Sequence, residues 1–208
     1  MGEKRDLRKV RTETAIKKAF YDLLSEKTSF AAITIQDIAD KAMINRSTFY
    51  AHYYDKYDLL EKYSSDLFSE IKDLSLISYN DQSRNSIRSQ LETLFNKIFE
   101  HIFSYSAFYK VMYNELPELR AEFEKIITSQ INCRFARISE KHLQSFGIND
   151  RSDNLPIDKF IAPYLSGALI GVITEWLKSD MYFSPKCMSK VFTILATIDF
   201  YGPIVTKT

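Results

Sequence analysis

Residues 34–56, TIQDIADKAMINRSTFYAHYYDK, decide how this chain is read. Thr34 followed three residues later by Asp37 is the pattern in which a hydroxyl and a carboxylate each satisfy the other's backbone N–H, so a helix begins at Ile35. Ile35, Ile38, Ala39 and Ala42 give that helix one apolar stripe, which Met43-Ile44-Asn45 interrupts after about two turns. Asn45 is a strong N-cap for a second short helix over residues 46–52. Two short helices joined by a three-residue turn form a helix-turn-helix by layout. Ala39 and Ala42 are small enough for close approach, and Phe49 and Tyr53, four residues apart, read as core. The opening turn of the second helix, Arg46-Ser47-Thr48, is left free to enter a major groove.

Working outward, Ile16, Ala19, Phe20, Leu23 and Leu24 recur at three- and four-residue spacing and predict a first helix over residues 8–26. Asp55 can cap a longer helix through Leu59, Leu60, Tyr63, Leu67 and Ile71, which ends in the polar stretch 78–84, the best candidate linker. Further helices are expected over 87–105, 107–114, 117–146, 156–178 and 185–200, with Pro117 in a first turn where its missing donor costs nothing. A polar loop is expected at 147–156. The fold class is therefore all-α, divided into a helix-turn-helix domain at 1–62 and a helical regulatory and dimerisation domain at 63–208.

Composition agrees. A hydrophobic share of 45% supports a core, while five glycines and five prolines in 208 residues disfavour a turn-rich β architecture. The charged N-terminus lacks the apolar run of a secretory signal, and the uncharged stretch 160–174 falls short of the roughly 20 residues that cross a bilayer, so a cytoplasmic chain without a membrane partner is expected. Cys133 and Cys187 are expected to be reduced and buried. Net charge is only +1, yet residues 1–18 carry seven Lys or Arg against three Asp or Glu, a local +4 that could serve phosphate attraction or merely solvate a helix face.

The pattern Thr34, Ile38, Ala39, then Thr48, Phe49, Tyr50, His52, Tyr53 and Lys56 resembles the TetR family of regulators, and the similarity covers roughly residues 8–62. The stretch FIAPYLSGALIGVITEWLKSDMYFSP is more distantly similar to the dihydroxyacetone kinase regulator subgroup of that family. Where the family often has glycine, in the turn and before the threonine of the second helix, this chain has Met43 and Ser47. The resemblance implies a homodimer that binds double-stranded DNA at a palindromic operator, most often as a repressor, with a small molecule or a partner protein as effector. It also implies phosphate contacts from Tyr50, His52 and Lys56. Residue chemistry adds Arg46 as base reader, since a guanidinium can bond guanine in two places, with Ser47 and Thr48 reaching bases or phosphate. Thr34 and Asn45 complete the candidate DNA-facing set.

Towards the C-terminus, residues 160–177 are apolar nearly all round a helix, Gly167 and Gly171 permit close approach, and residues 188–198 carry a second stripe. Leu165, Ala168, Val172, Met188, Phe192 and Leu195 are the candidates for a two-fold interface. Phe103, Tyr109, Met112, Tyr113, Tyr164 and Trp176 are candidates to line an effector cavity, although aromatics at helical spacing are more often plain core. An enzyme is not expected. Glycines at 2, 147, 167, 171 and 202 make no phosphate loop, and histidines at 52, 101 and 142 have no metal-ligand spacing, so neither cofactor nor metal is implied. The alternative is a helical protein-interaction adaptor that has lost DNA binding. It has no reason to keep a basic, hydroxyl-rich surface between Arg46 and Lys56.

Overall fold

A computed structural model describes residues 2–27, 29–74, 84–135 and 157–201, and every regular element among them is a helix. In chain order these are α1 (Gly2–Glu26), α2 (Ile35–Lys41), α3 (Arg46–Tyr50), α4 (Lys56–Leu74), α5 (Arg84–Ser104), α6 (Ser106–Glu115), α7 (Pro117–Phe135), α8 (Ile157–Lys178) and α9 (Pro185–Tyr201). The all-α expectation holds, and the ends of elements differ for local reasons. α1 starts earlier than its apolar stripe, because nothing in the charged stretch after Gly2 breaks a helix. α3 stops at Tyr50, where Ala51 N–H is shared between Ser47 and Thr48 carbonyls and His52 N–H closes a tighter turn on Phe49. The expected linker up to residue 83, the end of the long helix beyond 135 and the loop at 147–156 lie outside the described residues.

The chain divides into two compact units, Met1–Glu70 with Tyr105–Arg120, and Ile71–Ser104 with Ala121–Thr208. In the first, α1 buries Ile16, Phe20, Leu23 and Leu24. Phe20 meets Phe30 and Tyr63 edge-on at 6.2 and 5.6 Å, and Tyr63 in turn meets Phe108 of α6 at 5.6 Å. Each such ring contributes about 1.5–3 kcal/mol through burial alone. Tyr109 and Met112 of α6 are wholly buried in the same core.

In the second unit α5 lies along α9, with Phe95 against Phe192 at 4.6 Å and perpendicular. Trp176 of α8 meets Phe99 edge-on at 5.3 Å and stacks on Phe103 at 6.2 Å, and its indole N–H donates to the Phe183 carbonyl at 2.9 Å. α8 ends in a left-handed turn, with Met181 N–H bonded to the Trp176 carbonyl and Asp180 N–H to that of Leu177. One side of α8 (Leu165, Leu169, Ile173, Trp176) faces the interior. The other (Phe160, Tyr164, Gly167, Gly171) is exposed. No helix among the described residues is long and apolar enough to cross a membrane. Cys187 is a free, half-buried thiol rather than a fully buried one.

Candidate nucleic-acid interface

The support for α3 is built first. Thr34 and Asp37 form the complete reciprocal cap: Asp37 N–H donates to the Thr34 hydroxyl oxygen at 3.1 Å and Thr34 N–H to the Asp37 carboxylate at 2.9 Å. The Thr34 hydroxyl then donates to the same carboxylate at 2.8 Å, so this side chain is engaged in starting α2. The Thr34 backbone N–H, then its hydroxyl, hold the Asp37 carboxyl below its usual range. α2 ends in a second left-handed turn. Met43 N–H donates to the Asp40 carbonyl and Ile44 N–H to the Ala39 carbonyl, with Met43 at φ 56°. A β-carbon in that region costs about 1–2 kcal/mol, which is why glycine is common there. Met43 nevertheless leaves its side chain 93% exposed.

α3 itself is anchored through Phe49, wholly buried and 5.7 Å from the ring of Tyr53, as its spacing predicted. Asn45 stands at the N-cap position but makes no capping bond with its side chain, so its amide stays exposed. Arg46, Ser47 and Tyr50 are exposed and Thr48 is half-buried. The Arg46 guanidinium donates to the Tyr50 hydroxyl at 3.4 Å, one turn along the same helix, which holds both groups on one face. His52 is half-buried beside Tyr53, and nearby on α1 the Lys17 hydrogen bond holds the Glu13 carboxyl below its usual range.

Lys56 departs from the expected role. Its ammonium donates to the carbonyls of Phe30, Ala31 and Ile33 at 3.2, 3.1 and 2.8 Å and lies 4.7 Å over the Phe30 ring. An ammonium has three N–H groups, and the α1–α2 loop takes all three. Lys56 is thus placed as a clamp on that loop rather than turned outward. Glu115 at the end of α6 grips the same loop, accepting Phe30 N–H at 2.9 Å. Asp55, by contrast, caps α4 as read, accepting Tyr57 and Asp58 N–H at 2.8 Å each.

The remaining candidates fall in separate places. Tyr109 and Met112 are core of the first unit and Tyr113 is half-buried there, whereas Phe103 and Tyr164 are exposed and Trp176 buried in the second. Of the interface candidates, Leu165, Met188 and Phe192 are buried within the second unit and Ala168 and Val172 half-buried; Leu195 is exposed. The helical pattern identified α8 and α9, but an all-round apolar helix carries no signal of which side its own unit covers. Among the described residues, the exposed large apolar side chains on these helices are Phe160, Tyr164, Val191, Ile194 and Leu195.

A buried scaffold holding a short helix with a polar, basic and hydroxyl-bearing outer face defines the class of helix-turn-helix transcriptional regulators. The chain belongs to the TetR family: residues 23–63 match the model for bacterial regulatory proteins of that family, and residues 89–197 match that for its transcriptional regulator C-terminal region. It is 29% identical over 203 residues to YxbF, an uncharacterised HTH-type transcriptional regulator of Bacillus subtilis (strain 168). That match covers 96% of this chain and 48% of YxbF, so the chain spans about half the length of this relative. Among solved structures, the dihydroxyacetone kinase operon activator DhaS superposes with a TM-score of 0.60 at 19% identity, covering 91% of this chain and 96% of that one. A TetR transcriptional regulator from Streptococcus agalactiae 2603V gives 0.60 at 23% identity, covering 94% and 99%. At these identities the structural likeness speaks for the fold.

Proposed function

We propose that this regulator is a homodimeric repressor of the bacterial cytoplasm, binding a palindromic operator in double-stranded DNA and acting by binding rather than catalysis. The observation that carries the reading is the outer face of α3, where Asn45, Arg46, Ser47 and Tyr50 stand exposed on a helix whose inner residue, Phe49, is wholly buried. Arg46 reads a base edge, Ser47 and Thr48 reach bases or phosphate, and Asn45, Tyr50 and His52 fix the backbone. Thr34 and Lys56 serve the same end indirectly, by holding α2 and the α1–α2 loop. A two-fold axis presents two such helices to successive major grooves, about 34–36 Å apart.

Dimerisation is supported by the exposed apolar side chains of α8 and α9 and by the open space over Gly167 and Gly171, where an added Cβ meets nothing within 4 Å. Glycines that no neighbour in the chain requires leave room for the close approach of a helix from a second copy. An effector, either a small molecule or a partner protein, shifts the population of dimers whose α3 helices match the operator spacing. Selection of binding sequences from random duplexes, followed by salt titration of the winner, tests the reading. A palindrome and a steep fall of affinity with salt are expected. A folded dimer with no salt-sensitive affinity for any duplex, with or without candidate effectors, overturns it.

A further inference from the structure

Beside the α3 face lies a groove of about 440 Å³ whose α1 wall and Met43 have no part in the expected DNA contacts. Arg8 and Thr12 of α1 form one wall, and Met43, Asn45 and Thr48 the other. We propose that this groove seats one sugar-phosphate unit of the DNA backbone, with the Arg8 guanidinium on the phosphate and the Met43 side chain against the deoxyribose. The proposal rests on the DNA-binding reading and extends it from α3 to α1 and the turn.

Three features carry it. Arg8 is exposed, and among the described residues no hydrogen bond or ion pair occupies its guanidinium, while the Thr12 hydroxyl donates back to the Arg8 carbonyl. The groove is continuous with the face that reads DNA, because Asn45 and Thr48 belong to both and the Asn45 amide is not needed as a cap. Met43 occupies a left-handed position at which glycine would be relaxed, yet its side chain packs on almost nothing in its own chain. A strained position holding an apolar group out into solvent is accounted for when another surface covers it. A deoxyribose flanking a bound phosphate is such a surface, since its carbons are apolar and its phosphate faces the guanidinium. Asp40, the carboxylate in the lining, accepts the Gln36 amide at 2.7 Å.

The test uses the full-length protein and a mixed-sequence duplex about three helical turns long, titrated with salt while fluorescence anisotropy is followed. Arg8→Ala should weaken binding and flatten the plot of log affinity against log salt by about 0.9, whereas Lys186→Ala, on the other unit, should leave the slope alone. Met43→Gly should raise the melting temperature yet weaken binding by about threefold at unchanged slope, from lost apolar contact with the sugar. Opposite signs in stability and affinity separate a DNA contact from a structural role. An unchanged slope in Arg8→Ala, or a Met43→Gly protein that binds as tightly as wild type, overturns the groove while wild-type salt dependence leaves the DNA-binding reading intact. Absence of salt-dependent affinity in the wild type overturns both.

Discussion

Lys56→Met removes the ammonium that gathers the Phe30, Ala31 and Ile33 carbonyls while keeping most of the apolar stem on the Phe30 ring. A hydrogen bond from a charged donor is worth about 1.5–3 kcal/mol when water is kept away. Only the bonds to Phe30 and Ile33 are part-buried; the one to Ala31 is exposed, and water replaces it at little cost. Two discounted bonds, with about 0.5–1 kcal/mol from the cation over the ring, give a loss near 3 kcal/mol. For a chain of this size that lowers the melting temperature by about 6–12 °C. Thermal unfolding followed by circular dichroism reads the shift, and hydrogen exchange should show the Ala32 and Ile33 amides opening more readily. Salt titration of DNA binding should show the same slope as wild type. If the variant instead melts within about 2 °C of wild type while its slope falls by about 0.9, the ammonium is on a DNA phosphate and the clamp is refuted.

Arg46→Ala should relax preference at one base position, at a cost of about 1–3 kcal/mol; sequence selection returning the same motif for both proteins would remove Arg46 from base reading. Gly171→Leu adds a side chain where the chain offers open space, so the fold should hold or gain about 1 kcal/mol in helix propensity while sedimentation shows a shift towards monomer. An unaltered dimer would place the interface elsewhere. Burial pushes the His101 imidazole down to about 4, so the folded protein keeps it neutral while the unfolded chain binds a proton near the ordinary value. That contribution is fully present above about pH 6.5 and is lost as pH falls towards about 4. His101→Leu should therefore show a shallower acid loss of stability over that window, and parallel curves would show that burial is not the cause.

The parts of this structure visible in the amino-acid order are those decided by neighbours. Thr34 and Asp37 cap α2 across three residues, Phe49 and Tyr53 meet across four, and Asp55 starts α4 within three. Lys56 escaped because its partners lie some two dozen residues upstream, and whether three carbonyls converge depends on a loop conformation that no spacing encodes. The resemblance that suggested a phosphate contact had no means of weighing those carbonyls. On α8 the limit is different: Leu165 and Tyr164 are adjacent and both apolar in pattern, yet one is buried and the other exposed, and a helix that is apolar all round does not say which. The groove beside α3 was half legible. The basic charge of the first 18 residues and the odd methionine were both apparent, but not that Arg8 and Met43 line one groove.

The first unit is not a contiguous piece of chain: residues 105–120 come back to complete it, bringing Phe108, Tyr109 and Met112 into its core and Glu115 onto its loop. A fragment truncated after α4 would therefore be a head with its keystone missing, prone to aggregate through the hole left by α6. Anyone grafting this helix-turn-helix module onto another protein must transplant the returning segment with it. The same dependence means that a lesion in α6, some fifty residues beyond the helix-turn-helix, can loosen the unit that carries it.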